Sequence, residues 1–454
     1  TLLNYLKTMK SILISNATII NENSKKVSDI YVKNGRIEQI SSDLSHLDAD
    51  INIDGTGKYI LPGMIDDQVH FREPGLTDKA DIRSESLAAV IGGTTSFMDM
   101  PNNKPPIITN EGLENKFKVA ENRSFANYSF YLGATNENID EIKNTIKKAC
   151  GIKVFMGAST GNMLVDNPKS LEQIFIHAPK LIATHCESSP IIDRNLKIAK
   201  EKYGENIPLE MHTEIRSREC CIESSSLAID LAKKFGSRLH VLHLTTRDEL
   251  DFFSNNYVEN KSITAEVCIH HMLYSEKDYA TKKGFIKCNP SIKEEEDRLA
   301  LINAVNNNVI DVIATDHAPH LISEKTAKKY EDIPAGLPVI QHSYRAVLEF
   351  YHNGIFTLEK IIEKACHNPA ICYDVKERGF IREGYWADLV LVEFLEKGEI
   401  DSTTIMHKCG WSAFSDVPFR TKIHKTIVSG NIAFDADTGK IPEHPFGLEL
   451  EFNN

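Results

Sequence analysis

Short apolar runs alternate with longer amphipathic stretches from about residue 60 to about residue 380. This alternation is typical of a parallel β-sheet whose strands are connected by helices. Because the strand candidates number eight, the pattern predicts a (β/α)8 TIM-type barrel, an α/β fold whose functional site lies at the C-terminal ends of the strands. A doubly wound open sheet is the alternative, but the region contains no Gly-rich dinucleotide-binding loop. The predicted strands are Tyr59–Ile65, Thr94–Met100, Tyr128–Gly133, Gly151–Met156, Lys180–Thr184, Leu239–Leu244, Ile263–Val267 and Val309–Ala314.

The two ends of the chain have a different pattern, in which short apolar runs are separated by turn residues. Asn34-Gly35 lies between two strand-like runs, which predicts a β-hairpin. Near the other end, Trp386–Glu393 and Thr426–Phe434 are also strand-like. We therefore expect both chain ends to form one small β-sandwich beside the barrel. The predicted domains are the barrel at residues 59–380 and the sandwich at residues 9–58 and 381–450.

Histidine or aspartate stands at the C-terminal ends of four of the predicted strands. On a barrel these ends meet at one mouth, so the four side chains are expected to share a common volume. Imidazole and carboxylate groups in a wet, concave site suit zinc with an open position for water, whose pKa the metal lowers to roughly 7. A single histidine among seventeen is more often a core or surface residue, but the set favours a metal site. The four residues are His70, His185, His243 and Asp316.

Two basic residues near these strand ends need separate treatment. Lys153 lies within the fourth predicted strand, and a protonated amine cannot bind a metal because it has no acceptor. Taken alone, Lys153 is a lysine at a strand edge, and it can join the site only as a CO2-derived carbamate. Arg72 follows the first strand and offers a planar fork of donors suited to a carboxylate.

Composition limits the partners of the chain. The net charge of −12 argues against a nucleic-acid surface, and an anionic substrate would need a local cluster of Arg, His or metal. No apolar stretch approaches the roughly 18–20 residues that span a bilayer, so no membrane partner is expected. Nine scattered cysteines, without disulfide or zinc-knuckle spacing, indicate a reducing compartment. The sequence therefore predicts a cytoplasmic protein.

Five motifs together resemble those of a known enzyme family. Asp66–Gly75 reads Asp-Asp-Gln-Val-His-Phe-Arg-Glu-Pro-Gly, and Asp316–His320 reads Asp-His-Ala-Pro-His. With Met100-Pro101-Asn102, Asn289-Pro290 and Ala335–Pro338, these segments resemble the cyclic amidohydrolases, most closely the dihydroorotases of the long bacterial (class I) type. The resemblance covers nearly the whole chain, including the sandwich.

The resemblance implies a barrel of the metal-dependent hydrolase kind and an activity. Dihydroorotases reversibly close N-carbamoyl-L-aspartate to (S)-dihydroorotate in pyrimidine biosynthesis. The resemblance further implies a carbamate on Lys153. We expect one firmly bound zinc ion, a second metal position and a homodimer. Asp316 would be both metal ligand and general acid/base. The implied metal ligands are His70, Lys153, His185, His243 and Asp316, and the implied substrate-binding residues are Arg72, Asn102, Asn289 and His320.

Gln68 departs from the family pattern, because it stands where the family has its first metal-binding histidine. A Gln carbonyl oxygen is a weaker zinc ligand than imidazole, so one metal position is in question. The substitution also leaves an alternative, in which the chain is a catalytically silent relative that acts as a partner of aspartate carbamoyltransferase. A further alternative is another cyclic amidohydrolase, an allantoinase or a dihydropyrimidinase. Those substrates lack the ring carboxylate that Arg72 and Asn102 are expected to bind.

Overall fold

The computed structural model describes residues 9–157, 163–401 and 404–453, which contain two β-sheets and the helices that cover them. No helix in these ranges is long and apolar enough to cross a bilayer. The strands are, in chain order, β1 Ile12–Asn21, β2 Ser24–Lys33, β3 Arg36–Ser41, β4 Ile51–Asp54, β5 Tyr59–Pro62, β6 Met64–Val69, β7 Thr94–Asp99, β8 Asn127–Gly133, β9 Gly151–Phe155, β10 Ile182–His185, β11 Leu239–Val241, β12 Ile263–Cys268, β13 Val312–Ala314, β14 Leu389–Ile400, β15 Pro418–Val428 and β16 Asn431–Asp435. The α-helices are Ile82–Ile91, Asn110–Ala120, Ile139–Lys143, Pro168–His177, Ser189–Tyr203, His212–Ile215, Arg218–Phe235, Ile269–Leu273, Tyr279–Lys282, Glu295–Asn306, Ile322–Lys325, Ile340–His352, Leu358–Ile362 and Asn368–Cys372.

Strands β6 to β13 form a nearly closed parallel barrel, which confirms the predicted fold class. Each strand pairs with the next along the chain, and nearly all of their residues are buried. Burial on both faces explains why most of these strands appear in the sequence as runs of apolar residues. The ends of the sheet meet where His70 N donates to His317 O over 2.7 Å. The barrel therefore brings the C-terminal ends of all eight strands to one mouth.

The second sheet is mixed and is built from both ends of the chain, with the order β16-β15-β14-β5-β1-β2-β3 and β4 beside β1. The predicted Asn34-Gly35 hairpin is confirmed, with φ of 52° and 80° at the two turn residues. The segment Thr426–Phe434 is not one strand, because Ser429-Gly430 turns the chain between β15 and β16. Positive φ at both residues matches the tight turns that join antiparallel strands.

The first predicted barrel strand, Tyr59–Ile65, is in fact parts of two strands. β5 pairs with β1 and β14 in the mixed sheet, and β6 begins the barrel after Gly63. A Cβ atom at Gly63 would lie 2.0 Å from the Thr95 hydroxyl, so the crossing between the sheets requires glycine. Hydrophobicity cannot separate two consecutive buried strands. The division into segments 9–58, 59–380 and 381–450 stays a prediction, with the mixed sheet reaching Pro62.

Candidate active site at the barrel mouth

Four of the five predicted ligand residues lie at the C-terminal ends of barrel strands, and the fifth, Lys153, lies within β9. His70 follows β6, His185 ends β10, His243 follows β11 and Asp316 follows β13. His243 and Asp316 have φ of 40° and 47°, and Arg72 has φ of 67°. Non-glycine residues in this region are strained and cluster at functional sites, although Asp and His tolerate it better than most. The backbone at the mouth therefore holds these side chains at an energetic cost.

His185 and His243 form the first half of the site. The Nδ1 atom of His185 lies 3.0 Å from Nε2 of His243, and both rings are buried. Burial lowers the pKa of both imidazoles, so both are neutral at neutral pH, the form that binds a metal. Two nitrogens of a tetrahedral zinc site lie about 3.3 Å apart, close to this spacing. The pair fits two adjacent ligand positions of one zinc ion.

Glu187 contacts the outer nitrogen of His185, and Arg216 contacts Glu187. Glu187 Oε2 lies 2.8 Å from His185 Nε2 and 2.5 Å from Arg216 Nη1. Burial opposes ionisation of Glu187, but Arg216 and His185 outweigh it and lower the Glu187 pKa to about 2. A carboxylate on the outer nitrogen of a histidine fixes its ring orientation and raises its basicity as a ligand. His185 is therefore oriented for binding a metal through Nδ1.

Replacement of Glu187 by Gln is expected to weaken metal binding by about 10- to 100-fold, because His185 loses its carboxylate partner. Chelator competition with purified protein measures this affinity. Glu172→Gln is the control, since Glu172 forms an exposed ion pair with Lys234. Equal metal affinity in Glu187→Gln and the unmodified protein would contradict a supporting role for Glu187.

His70, Asp316 and Gln68 form the second half of the site. Asp316 Oδ1 lies 3.0 Å from His70 Nε2 and accepts a hydrogen bond of 3.1 Å from the Gln68 side-chain amide. The Gln68 carbonyl oxygen faces Cys268 Sγ at 3.9 Å. Asn102 Oδ1 lies 2.7 Å from His70 Nδ1, so Asn102 contacts the predicted ligand His70. In this arrangement Gln68 is a hydrogen-bond donor to Asp316.

Lys153 lies between the two halves. It is 1% exposed, and its amine interacts electrostatically with Asp316, His185 and His243. Burial lowers its pKa to about 8, against the opposing effect of nearby acidic groups. An appreciable fraction of the amine is therefore neutral near neutral pH, and the neutral amine is the form that adds to CO2.

A basic cluster borders the mouth. Arg72 Nε donates to Pro319 O over 3.1 Å, and its Nη2 lies 3.1 Å from His320 Nε2. Burial and the Arg72 charge lower the pKa of His320, so this ring is neutral. Among the described residues, Arg72 forms no ion pair with a carboxylate. Its charge is therefore available to an anionic ligand.

Asn289, the remaining predicted substrate-binding residue, precedes a cis peptide bond to Pro290. Its Oδ1 atom is buried and accepts no hydrogen bond within the described ranges. This oxygen can accept a hydrogen bond from a ligand N–H group. Arg72 and His320 thus contact each other, and Asn289 separately offers an unpartnered oxygen; a substrate with both a carboxylate and amide groups can use polar atoms of these kinds.

The sequence prediction missed several buried polar residues. Glu187 lies two residues after His185, and this spacing was the only signal for it. Glu266 interrupts the apolar strand β12, and a charged residue in such a strand is itself a signal. Four groups have ligand atoms within 4.8 Å of one another: Cys268, His270 and His271; Glu85, His317 and His407; Glu187, Cys220 and Cys221; and Asp67, His240 and Glu266.

Comparison with known proteins gives consistent results. Residues 59–433 match the model of the amidohydrolase family. Among curated relatives, a dihydroorotase from Methanosarcina acetivorans is 31% identical over 89% of this chain and 88% of its own. A dihydroorotase from Pyrococcus furiosus is 32% identical over 90% of this chain and 89% of its own. A dihydroorotase from Bacillus cereus is 29% identical over 94% of this chain and 99% of its own.

Solved structures share the fold at lower identity. L-hydantoinase (dihydropyrimidinase) from Arthrobacter aurescens superimposes with a TM-score of 0.92 at 24% identity, over 98% of this chain and 100% of its own. Dihydropyrimidinase from Brevibacillus agri gives a TM-score of 0.87 at 20% identity, over the same shares. At this identity the likeness supports the fold alone.

Proposed function

The chain belongs to the amidohydrolase family, and we propose that it is a dihydroorotase, which reversibly closes N-carbamoyl-L-aspartate to (S)-dihydroorotate. Curated relatives that carry this name align over about nine-tenths of the chain, as the 89% coverage by the Methanosarcina protein illustrates. The enzyme is a cyclic amidohydrolase with a small-molecule substrate. A cytoplasmic location and a homodimer remain predictions.

The observation that carries this proposal is the position of Arg72 beside a hydrolytic site. Dihydroorotate and carbamoyl aspartate carry a carboxylate that takes no part in the reaction, whereas dihydrouracil and allantoin have no such group. Arg72 has no carboxylate partner among the described residues; His320 contacts it, and Asn102 contacts the predicted ligand His70. A guanidinium fork binds a carboxylate in a bidentate manner. This cluster favours dihydroorotase over the hydantoinase-type activities.

The donor set at the mouth fits zinc. His185 and His243 present neutral nitrogens at ligand spacing, and His243 Nδ1 is a buried atom without a hydrogen-bond partner in the described ranges. These two residues and a carbamate on Lys153 would hold one ion, and His70, Asp316 and the same carbamate would hold a second. Zinc bound there would supply hydroxide at neutral pH and polarise the amide carbonyl of the substrate.

The protein residues then bind the substrate and move the proton. Arg72, Asn102, Asn289 and His320 hold the ring by its carboxylate and amide groups. In ring opening, Asp316 accepts the proton of the attacking water and delivers it to the departing ring nitrogen. In ring closure, protonated Asp316 first donates its proton to the departing oxygen of the substrate carboxylate, and it then carries the proton of the attacking carbamoyl nitrogen to that oxygen, which leaves as water. One carboxylate therefore serves both directions.

Incubation of zinc-loaded protein with N-carbamoyl-L-aspartate at mildly acidic pH tests this activity. We expect dihydroorotate to form, as followed by liquid chromatography, and to reach the same equilibrium from either side. Heat-inactivated protein is the control. The absence of turnover in both directions would favour a catalytically silent partner of aspartate carbamoyltransferase instead.

Gln68→His is expected to raise the metal content toward two ions per chain. Gln68 now donates a hydrogen bond to Asp316, so the position held by His70 and Asp316 lacks one imidazole ligand. Imidazole binds zinc more strongly than a neutral amide oxygen. Elemental analysis before and after chelator treatment measures the change. Two firmly held ions in the unmodified protein, unchanged by Gln68→His, would show that the substitution does not weaken the site.

A further inference from the structure

Three polar side chains meet inside the barrel, apart from the proposed ligands. Asp67 lies on β6, His240 on β11 and Glu266 on β12, and each is 0% exposed. β6 and β11 are not neighbours in the sheet, so Asp67 and His240 meet across the barrel interior. No step of the proposed reaction uses these three residues.

The facing side-chain atoms of Asp67, His240 and Glu266 are spaced like the ligands of one metal ion, and they form no hydrogen bonds with one another. His240 Nε2 lies 3.1 Å from Asp67 Oδ2 and 3.6 Å from Glu266 Oε2. Neither contact has hydrogen-bond geometry, and within the described ranges these three atoms and Asp67 Oδ1 lack any hydrogen-bond partner. In a tetrahedral site with bonds of about 2.0–2.2 Å, ligand atoms lie about 3.3–3.6 Å apart. An ion between these atoms would be their common partner.

The surrounding contacts orient the group toward its centre. His240 Nδ1 lies 2.7 Å from the Thr264 hydroxyl, which donates to Leu239 O. The Thr264 oxygen can then accept the Nδ1 hydrogen, and in that tautomer the Nε2 lone pair faces the carboxylates. Glu266 Oε1 accepts from His243 N over 3.0 Å, so Oε2 is left for a ligand. Such outer contacts fix the tautomer and orientation of metal ligands.

Charge balance favours a cation. Without an ion, the ionised carboxylates of Asp67 and Glu266 leave a net negative charge in the interior unless protons on both His240 and Glu266 balance it. An unbalanced buried charge is costly. A divalent ion with neutral His240 cancels the charge of Asp67 and Glu266. We propose that Asp67, His240 and Glu266 bind a first-row divalent cation, zinc or a chemically similar ion, in a structural site separate from the ions at the mouth.

Metal analysis with matched variants tests this site. The unmodified protein, Asp67→Asn and His240→Gln are prepared in zinc-containing medium, dialysed and analysed by mass spectrometry. Each variant should lose one zinc per chain. His212→Gln is the control, because His212 is a buried histidine whose two nitrogens contact Tyr330 and Cys288. It should keep the zinc content of the unmodified protein.

Anomalous diffraction at the zinc edge, from crystals of the unmodified protein, gives an answer that does not depend on how the variants fold. A peak between Asp67, His240 and Glu266 is expected, in addition to any peak beside His185 and His243. The absence of that peak, or an unchanged zinc content in folded His240→Gln, would overturn the proposal. Such a result would leave a protonated His240 paired with two carboxylates. Neither readout depends on turnover, so the result is independent of the proposed dihydroorotase activity.

Discussion

Replacement of Asp316 by Asn should reduce turnover in both directions by about 10²- to 10⁴-fold, the range expected for loss of a general acid/base. The side chain lies beside His70 and Gln68 at the mouth, with a strained backbone that holds it there. An amide of the same shape cannot accept or deliver the proton. Steady-state rates of dihydroorotate hydrolysis and of ring closure measure the effect.

The pH dependence gives a second readout of the same residue. Hydrolysis requires ionised Asp316 and should fall at low pH, whereas ring closure requires protonated Asp316 and should fall at high pH. Asp416→Asn, at an exposed carboxylate, is the control and should retain full activity. Near-normal rates in Asp316→Asn would exclude a single shared proton carrier. Rates of hydrolysis and of ring closure that both fall at the same end of the pH range would exclude it as well.

Arg72→Lys should lower kcat/KM for dihydroorotate by roughly 30- to 1000-fold, which corresponds to about 2–4 kcal/mol. Lysine keeps the positive charge but not the planar fork that binds a carboxylate through two hydrogen bonds. It also cannot reproduce the simultaneous contacts of Arg72 with Pro319 O and His320. The prediction is measured by comparing kcat and KM between the variant and the unmodified protein.

Arg83→Lys is the control for this substitution, because Arg83 is an exposed residue beside Phe125. It should leave both kinetic constants unchanged. An Arg72→Lys variant with the same kcat/KM as the unmodified protein would show that charge alone, or another residue, binds the carboxylate. The proposal that the Arg72 guanidinium binds the substrate carboxylate would then be wrong.

The sequence predicted the barrel well because each parallel strand is buried on both faces and is bounded by polar residues. Strand β9 was predicted at Gly151–Met156 and found at Gly151–Phe155. The exception, Tyr59–Ile65, combined two strands, since one apolar run gives no signal of a crossing between sheets. A tight glycine contact with Thr95 marks that crossing and is visible only in three dimensions.

The site was predicted only in outline. Strand-end positions indicated that His185 and His243 would meet, and the structure places their nitrogens 3.0 Å apart. The orientation of the Gln68 amide and the contact of Glu187 with Arg216 depend on loop geometry that hydrophobic patterns do not encode. Residues far apart in sequence, such as Asp67 and His240, meet only because the barrel closes.

The central claim is best tested by the substrate preference of the purified, zinc-loaded protein. Initial rates are compared for dihydroorotate, dihydrouracil and allantoin under identical conditions. If Arg72 and its neighbours bind a ring carboxylate as proposed, dihydroorotate is hydrolysed and the other two substrates are hydrolysed little or not at all. Hydrolysis of dihydrouracil or allantoin at a rate equal to that of dihydroorotate would contradict the assignment.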